Sequence, residues 1–259
     1  MKASDIMHPE DAKALAALRK VPFVDDVCRE VMRLAGEKIY RGENLAMMVR
    51  VTEHCMPELY REMAEVVQEV GIEMPEVYVY NDPVMNAFTF GDANPFVCVS
   101  SSVVEKMTSE ERKAILAHEC GHILCHHVLY MSVVLTLERL GQNLGILHYA
   151  LDGAVSLALN YWSRRSEFSA DRCAAAVAGE RAFQSSMLKM ASGLSDIGND
   201  PYQLVKQAKV YHQHERKSVW SRIQQNCRMA FYSHPQMVNR AWEIDRWKNS
   251  YMYKQLTNN

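Results

Sequence analysis

No apolar run in this sequence is long enough to cross a membrane, no cysteine pair has CxxC spacing, and neither sign of charge is in excess. The most apolar stretch, residues 131–162, is broken by Glu138, Arg139, Gln142, Asn143, His148 and Asp152. It falls short of the roughly 18–20 uncharged residues that a spanning helix needs and is expected to form buried or amphipathic helix. Residues 1–9 have no apolar core and do not read as a signal peptide. The seven cysteines (Cys28, Cys55, Cys98, Cys120, Cys125, Cys173, Cys227) are odd in number and scattered, which suits a reducing compartment and makes the cytoplasm the expected location. With 29 Lys and Arg against 31 Asp and Glu, no basic field points to nucleic acid or to an anionic membrane surface. What remains is 48% hydrophobic and 23% charged, the composition of a folded globular protein and not of a disordered or collagen-like one.

Linkers rich in Gly, Ser or Pro are also missing, and no repeat of fixed period is present, so residues 1–259 are expected to form a single domain. Residues 1–74 read as N-terminal helices, with Val24, Val27, Val31 and Leu34 at helical spacing, and Leu59, Met63, Val66, Val67 and Val70 likewise before Gly71. Residues 75–102 change to short runs rich in Val, Tyr and Phe, at 77–80, 87–90 and 96–100, separated by turn residues. That pattern predicts a small antiparallel sheet. Residues 108–259 are helical again, opened by the capping box Thr108-Ser-Glu-Glu111. The expected fold class is α+β, mainly α.

The helix after that box carries His118-Glu119-Cys120-Gly121-His122, an H-E-x-x-H motif. Four residues make just over one helical turn, so both imidazoles leave one face and can bind one Zn²⁺, while Glu119 stands about 100° around. A carboxylate there can take a proton from a water at the open position. Two histidines do not hold a catalytic zinc, and His126 on the same straight helix cannot converge with them on one tetrahedral ion. A metzincin site would need Gly at 125 and His at 128, where Cys125 and Val128 stand. His126 and His127 are therefore expected at the surface or behind the ligands. The better third ligand is Glu167, on a later helix that can pack beside the first, with Asp171 one turn on to orient a ligating histidine.

These residues carry a resemblance. Asn86-Ala-Phe88 with Gly91, His118-Glu-Cys-Gly-His122, Arg165-Ser-Glu167-Phe-Ser-Ala-Asp171-Arg172, and Ser233-His-Pro235 with Arg240 occur in the order found in one zinc metallopeptidase family. That family is the gluzincin group containing the HtpX heat-shock protease and the CAAX prenyl proteases, and the chain resembles it from about Pro75 to Arg240. The resemblance implies a zincin-like fold with one zinc per chain held by His118, His122 and Glu167. It also implies Glu119 as general base, His234 as a stabiliser of the transition state, and Asn86 with its strand along the cleft. Two features depart from the family. Gln236 stands where a second proline often follows His-Pro, and the membrane helices of those proteases are absent, which argues against membrane-embedded substrates and integral insertion.

The expected activity is zinc-dependent endopeptidase hydrolysis of a peptide or protein substrate added to a strand edge, taken to be Phe96, Val97, Cys98, Val99 and Ser100. A catalytically inactive zinc-containing peptide-binding or regulatory protein is the alternative, against which Glu119 argues, since holding zinc does not require that carboxylate. A structural zinc site would fill its positions with Cys and His, but Cys120 points away from the histidine face. For His234 there is also a purely structural reading, because proline after it suits the first turn of a helix. Arg240, about one and a half turns beyond His234, is expected to face elsewhere on that helix and to anchor it through a carboxylate, not to touch substrate.

Overall fold

A computed structural model describes residues 1–20, 24–35, 37–140, 153–217 and 236–257 of the chain. Helices α1 (Ala3–Ile6), α2 (Pro9–Leu18), α3 (Val24–Ala35) and α4 (Glu37–Met47) precede a two-residue strand, β1 (Val49–Arg50), and helix α5 (Pro57–Val70). On α5 the stripe Leu59, Met63, Val66, Val67 and Val70 is buried, as its spacing predicts. Gly71 ends that helix at φ 82°, its N–H on the Val67 carbonyl, in the left-handed region that suits glycine. On α3, Val24, Cys28 and Met32 are buried at one-turn intervals; the side chains of Val27, Val31 and Leu34 lie outside the described residues.

Strands β2 (Glu76–Tyr80), β3 (Ala87–Phe90) and β4 (Phe96–Ser100) join β1 in a sheet of order β1-β2-β4-β3. The sheet is mixed, not antiparallel as expected. β3 and β4 pair antiparallel, but β2 runs parallel to β4, with Glu76 opposite Phe96 and Tyr80 opposite Ser100. The cause lies in residues 81–86, which do not turn back beside β2 but cross the end of β4. There Ser100 accepts from the Asn86 N–H and Ser101 from the Asp82 N–H, so the crossing backbone is satisfied by side chains.

This order corrects the expected edge as well. Phe96–Ser100 is central, paired on both sides and buried at every residue. Val77, Val79, Val97 and Val99 face one apolar cluster, while Tyr78, Phe90, Phe96 and Cys98 face another on the opposite side of the sheet. A strand covered on both faces shows no polar alternation, and its main chain is not open to a peptide. The outer strand beside β4 is β3.

After the sheet come α6 (Ser101–Lys106), α7 (Ser109–Leu124), α8 (Val128–Leu140) and α9 (Gly153–Ala178). The chain continues through α10 (Glu180–Ser192), α11 (Gln203–Lys217), α12 (Met237–Trp247) and α13 (Tyr251–Thr257). The capping box forms: Thr108 accepts from the Glu111 N–H, and Glu111 accepts from the Thr108 N–H at 2.7 Å. Helix α5 is tied to α7 by Arg112, which donates to Glu62 and Glu58. Of the apolar stretch 131–162, residues 131–140 and 153–162 are helical, and 141–152 lie outside the described residues. No helix among the described residues is long and apolar enough to cross a membrane.

Candidate metal centre

Helices α7 and α9 cross at Gly121. A Cβ built there would stand 2.8 Å from the Cβ of Cys173 and 3.0 Å from the Cα of Ala170, so the approach requires glycine. The close crossing sets the histidine face of α7 against Glu167 of α9. Nε2 of His118 and Nε2 of His122 lie 3.2 Å apart, His122 Nε2 is 3.4 Å from Glu167 Oε1, and His118 Nε2 is 3.6 Å from Glu167 Oε2. Metal–nitrogen and metal–oxygen bonds of 2.0–2.2 Å in a tetrahedron separate their donors by about 3.3–3.6 Å, so this trio fits a zinc ion. All three residues are buried, and they are the one group of this kind found among the described residues.

The outward nitrogens of the two histidines are also engaged. His118 Nδ1 lies 3.0 Å from Asp171 Oδ1, and Nδ1 of His122 lies 3.1 Å from Nδ1 of His127. Asp171 is where the one-turn spacing from Glu167 places it, and it is held in turn by Arg240, whose Nη2 and Nε donate to its two oxygens at 2.6 and 2.9 Å. The same guanidinium puts Nη1 3.2 Å from Glu167 Oε2. Arg240 does anchor its helix through a carboxylate, as expected. It also lines the cleft over the three candidate ligands, and its direction relative to His234 lies outside the described residues.

Charge in this group follows from burial and pairing. Burial opposes ionisation of Asp171, but Arg240 and His118 outweigh it and hold the carboxyl below its ordinary range. His118 loses by burial and gains more from Asp171 and Glu167, so it is raised to about 9, whereas burial lowers His122. Cys120 and Cys173 are buried thiols pushed upward by desolvation, away from the histidine face.

Glu119 is buried beside the trio, and its Oε2 accepts from the Thr89 hydroxyl of β3 at 2.6 Å. A cleft of about 490 Å³ opens over these groups, with Asn86, Ala87 and Phe88 on one wall and Met187, Met190 and Met237 on another. The structure thus brings together His118, Glu119, His122, Glu167, Asp171 and Asn86. It leaves Phe96–Ser100 inside the sheet, and His234 lies outside the described residues. His126, at φ 56°, is exposed and turns the chain so that His127 folds back, buried, beneath His122. Thr89, and the helix α2 residue Asp11 that meets His127, carried no signal in the sequence, because their partners are brought to them only by packing.

Residues 53–248 match the model of peptidase family M48. The chain is 30% identical over 261 positions to the plastoglobule-localized metallopeptidase 48, chloroplastic, of Arabidopsis thaliana, an alignment covering 99% of this chain and 76% of that protein. It is 28% identical over 211 positions to protease HtpX of Xylella fastidiosa (strain M12), covering 70% of this chain and 68% of that one. The matched span runs from before α5 to the end of α12 and holds all three candidate ligands, so the chain belongs to peptidase family M48, whose members are metallopeptidases.

Proposed function

We propose that the chain is a zinc-dependent endopeptidase with one Zn²⁺ held by His118, His122 and Glu167. The observation that carries this reading is the donor triangle with Glu119 beside it in one cleft. Zinc, when bound, supplies Lewis acidity that polarises the scissile carbonyl and brings a water's pKa to about 7. Glu119, one oxygen held by Thr89, takes the proton of the attacking water and delivers it to the leaving amine. Asp171 and Arg240 keep the His118 ring in the orientation that points Nε2 inward. His234 is assigned the donation to the developing oxyanion, on the strength of its motif.

In this reading the substrate is an extended peptide that adds to the outer side of β3, where Asn86, Ala87 and Phe88 wall the cleft. Phe96–Ser100, buried at the sheet centre, has no part in it. A cytoplasmic placement, expected from the cysteines, belongs to the same reading, and cell fractionation tests it. The deciding experiment is a peptide-library digest by the purified protein and by Glu119→Gln. The wild type is expected to cut internal bonds in a chelator-sensitive manner, and the variant to keep one zinc while losing several orders of magnitude in turnover. Normal turnover by Glu119→Gln, or release of terminal residues only, overturns the assignment.

A further inference from the structure

Behind His122 stands a chain of buried polar groups that ends in the N-terminal segment, outside the span matched by the family. Nδ1 of His122 is 3.1 Å from Nδ1 of His127, and Nε2 of His127 is 3.0 Å from Oδ2 of Asp11. Asp11, in the first turn of α2, also accepts from the Ser169 hydroxyl at 2.5 Å and from the Trp162 indole N–H at 3.1 Å. Asp11 and His127 are 0% exposed and His122 is 1% exposed, so bulk water does not reach these groups.

One arrangement of hydrogens along the chain sets a donor toward an acceptor at each step. A histidine that binds a metal through Nε2 carries its proton on Nδ1. His122 therefore donates, and His127 Nδ1 must accept. The His127 proton then sits on Nε2, which lies 3.0 Å from the Asp11 carboxylate in an ion-pair contact without hydrogen-bond alignment, and Asp11 accepts hydrogen bonds from Ser169 and Trp162 and gives none. The other tautomer of His127 would set two N–H groups against each other and leave a lone pair facing a carboxylate. The N-terminal end of α2 adds a favourable dipole for the Asp11 charge.

We propose that Asp11 is a positioning residue of the metal centre, fixing through His127 the tautomer and ring plane of His122. Asp171 does the same for His118 in one step, and Asp11 does it in two. This rests on the reading that His118, His122 and Glu167 hold zinc. It adds that the N-terminal helix α2, beyond the matched span, is a working part of the site. Loss of a group that orients a metal ligand typically weakens metal binding by about 10–100-fold.

The test uses the full chain and Zn²⁺ in competition with a chromophoric chelator, together with thermal unfolding of the metal-free protein and imidazole ¹⁵N NMR. His127→Phe keeps the ring packing and should raise the zinc Kd by about 10–100-fold. Asp11→Asn should raise it by about 10-fold in the wild-type background and by less than about twofold in the His127→Phe background, where the connection is already cut. The NMR should place the His127 proton on Nε2 in the wild type. A zinc Kd within twofold of wild type for both variants overturns the proposal, as does an equal effect of Asp11→Asn in the two backgrounds or a His127 proton on Nδ1. An Asp11 that merely anchors α2 would lower the melting temperature and leave the zinc affinity of the folded protein alone. If Asp11→Asn does not fold, the wild-type tautomer and the His127→Phe affinity still decide. Failure of the underlying reading looks different: the wild type would bind no zinc, or would bind it as well after Glu167→Ala.

Discussion

The hydroxyl of Thr89 donates to Oε2 of Glu119 at 2.6 Å, joining the outer strand of the sheet to the helix of the H-E-x-x-H motif. The bond fixes one carboxylate oxygen and leaves the other for the cleft. A hydrogen bond to a charged group is worth about 1.5–3 kcal/mol. Thr89→Val, which keeps the shape and removes the donor, is expected to lower kcat by roughly 10-fold or more with zinc content unchanged. Steady-state kinetics with a peptide substrate, alongside metal analysis, checks this; an unchanged kcat would mean that Glu119 is held by its helix alone.

Gly121→Ala should act on the site from behind. Its Cβ would press on Cys173 and on the Ala170 backbone, and the helices can relieve that contact only by moving apart. Overpacking of this kind costs about 1–3 kcal/mol. The variant is expected to unfold at lower urea and to bind zinc more weakly, because separating α7 from α9 carries Glu167 away from the histidines.

Arg240→Met removes the cation shared by two buried carboxylates, Asp171 and Glu167. Breaking a buried pair by deleting one partner costs about 3–5 kcal/mol. Equilibrium unfolding of the metal-free protein should show a loss of that size. Arg240→Lys should recover only part of it, since an ammonium cannot match the two parallel bonds to Asp171 while also reaching Glu167.

Stability in acid should depend on Glu111. Burial works to raise its carboxyl, but donation from Lys189 at 2.7 Å, from Ser185 and from the Thr108 N–H prevails, and the folded value lies below the ordinary 4.5. A depressed carboxyl contributes stability that is complete above about pH 4.5 and is lost as the pH falls through the folded value. The gap in unfolding free energy between wild type and Glu111→Gln should accordingly shrink between about pH 6 and about pH 3. A gap that stays constant over that range would show the carboxyl to be unshifted.

The metal helix was legible because its signals are local. The capping box at Thr108, the four-residue spacing of His118 and His122, and the one-turn step from Glu167 to Asp171 each act within a turn or two of helix. The edge of the sheet lies at β3 and not at the expected Phe96–Ser100, and the sequence carries a sign of it. Phe96-Val-Cys-Val-Ser100 is apolar without alternation, the pattern of a strand covered on both faces, and an edge strand open to a cleft would show a polar side. The parallel pairing of β2 with β4 was not legible, since it depends on where residues 81–86 cross. Nor was the meeting of Asp11 with Ser169, 158 residues apart, which arises from helix docking that no local pattern encodes.

Arg240 follows Asp171 by 69 residues. At about 5–20 residues per second this interval amounts to roughly 3–14 s of synthesis. Throughout it, a growing chain already carries both histidines and both carboxylates but lacks the cation that makes their shared burial tolerable. The buried carboxylates of a newborn chain thus have no cationic partner from α12 until that helix has been made.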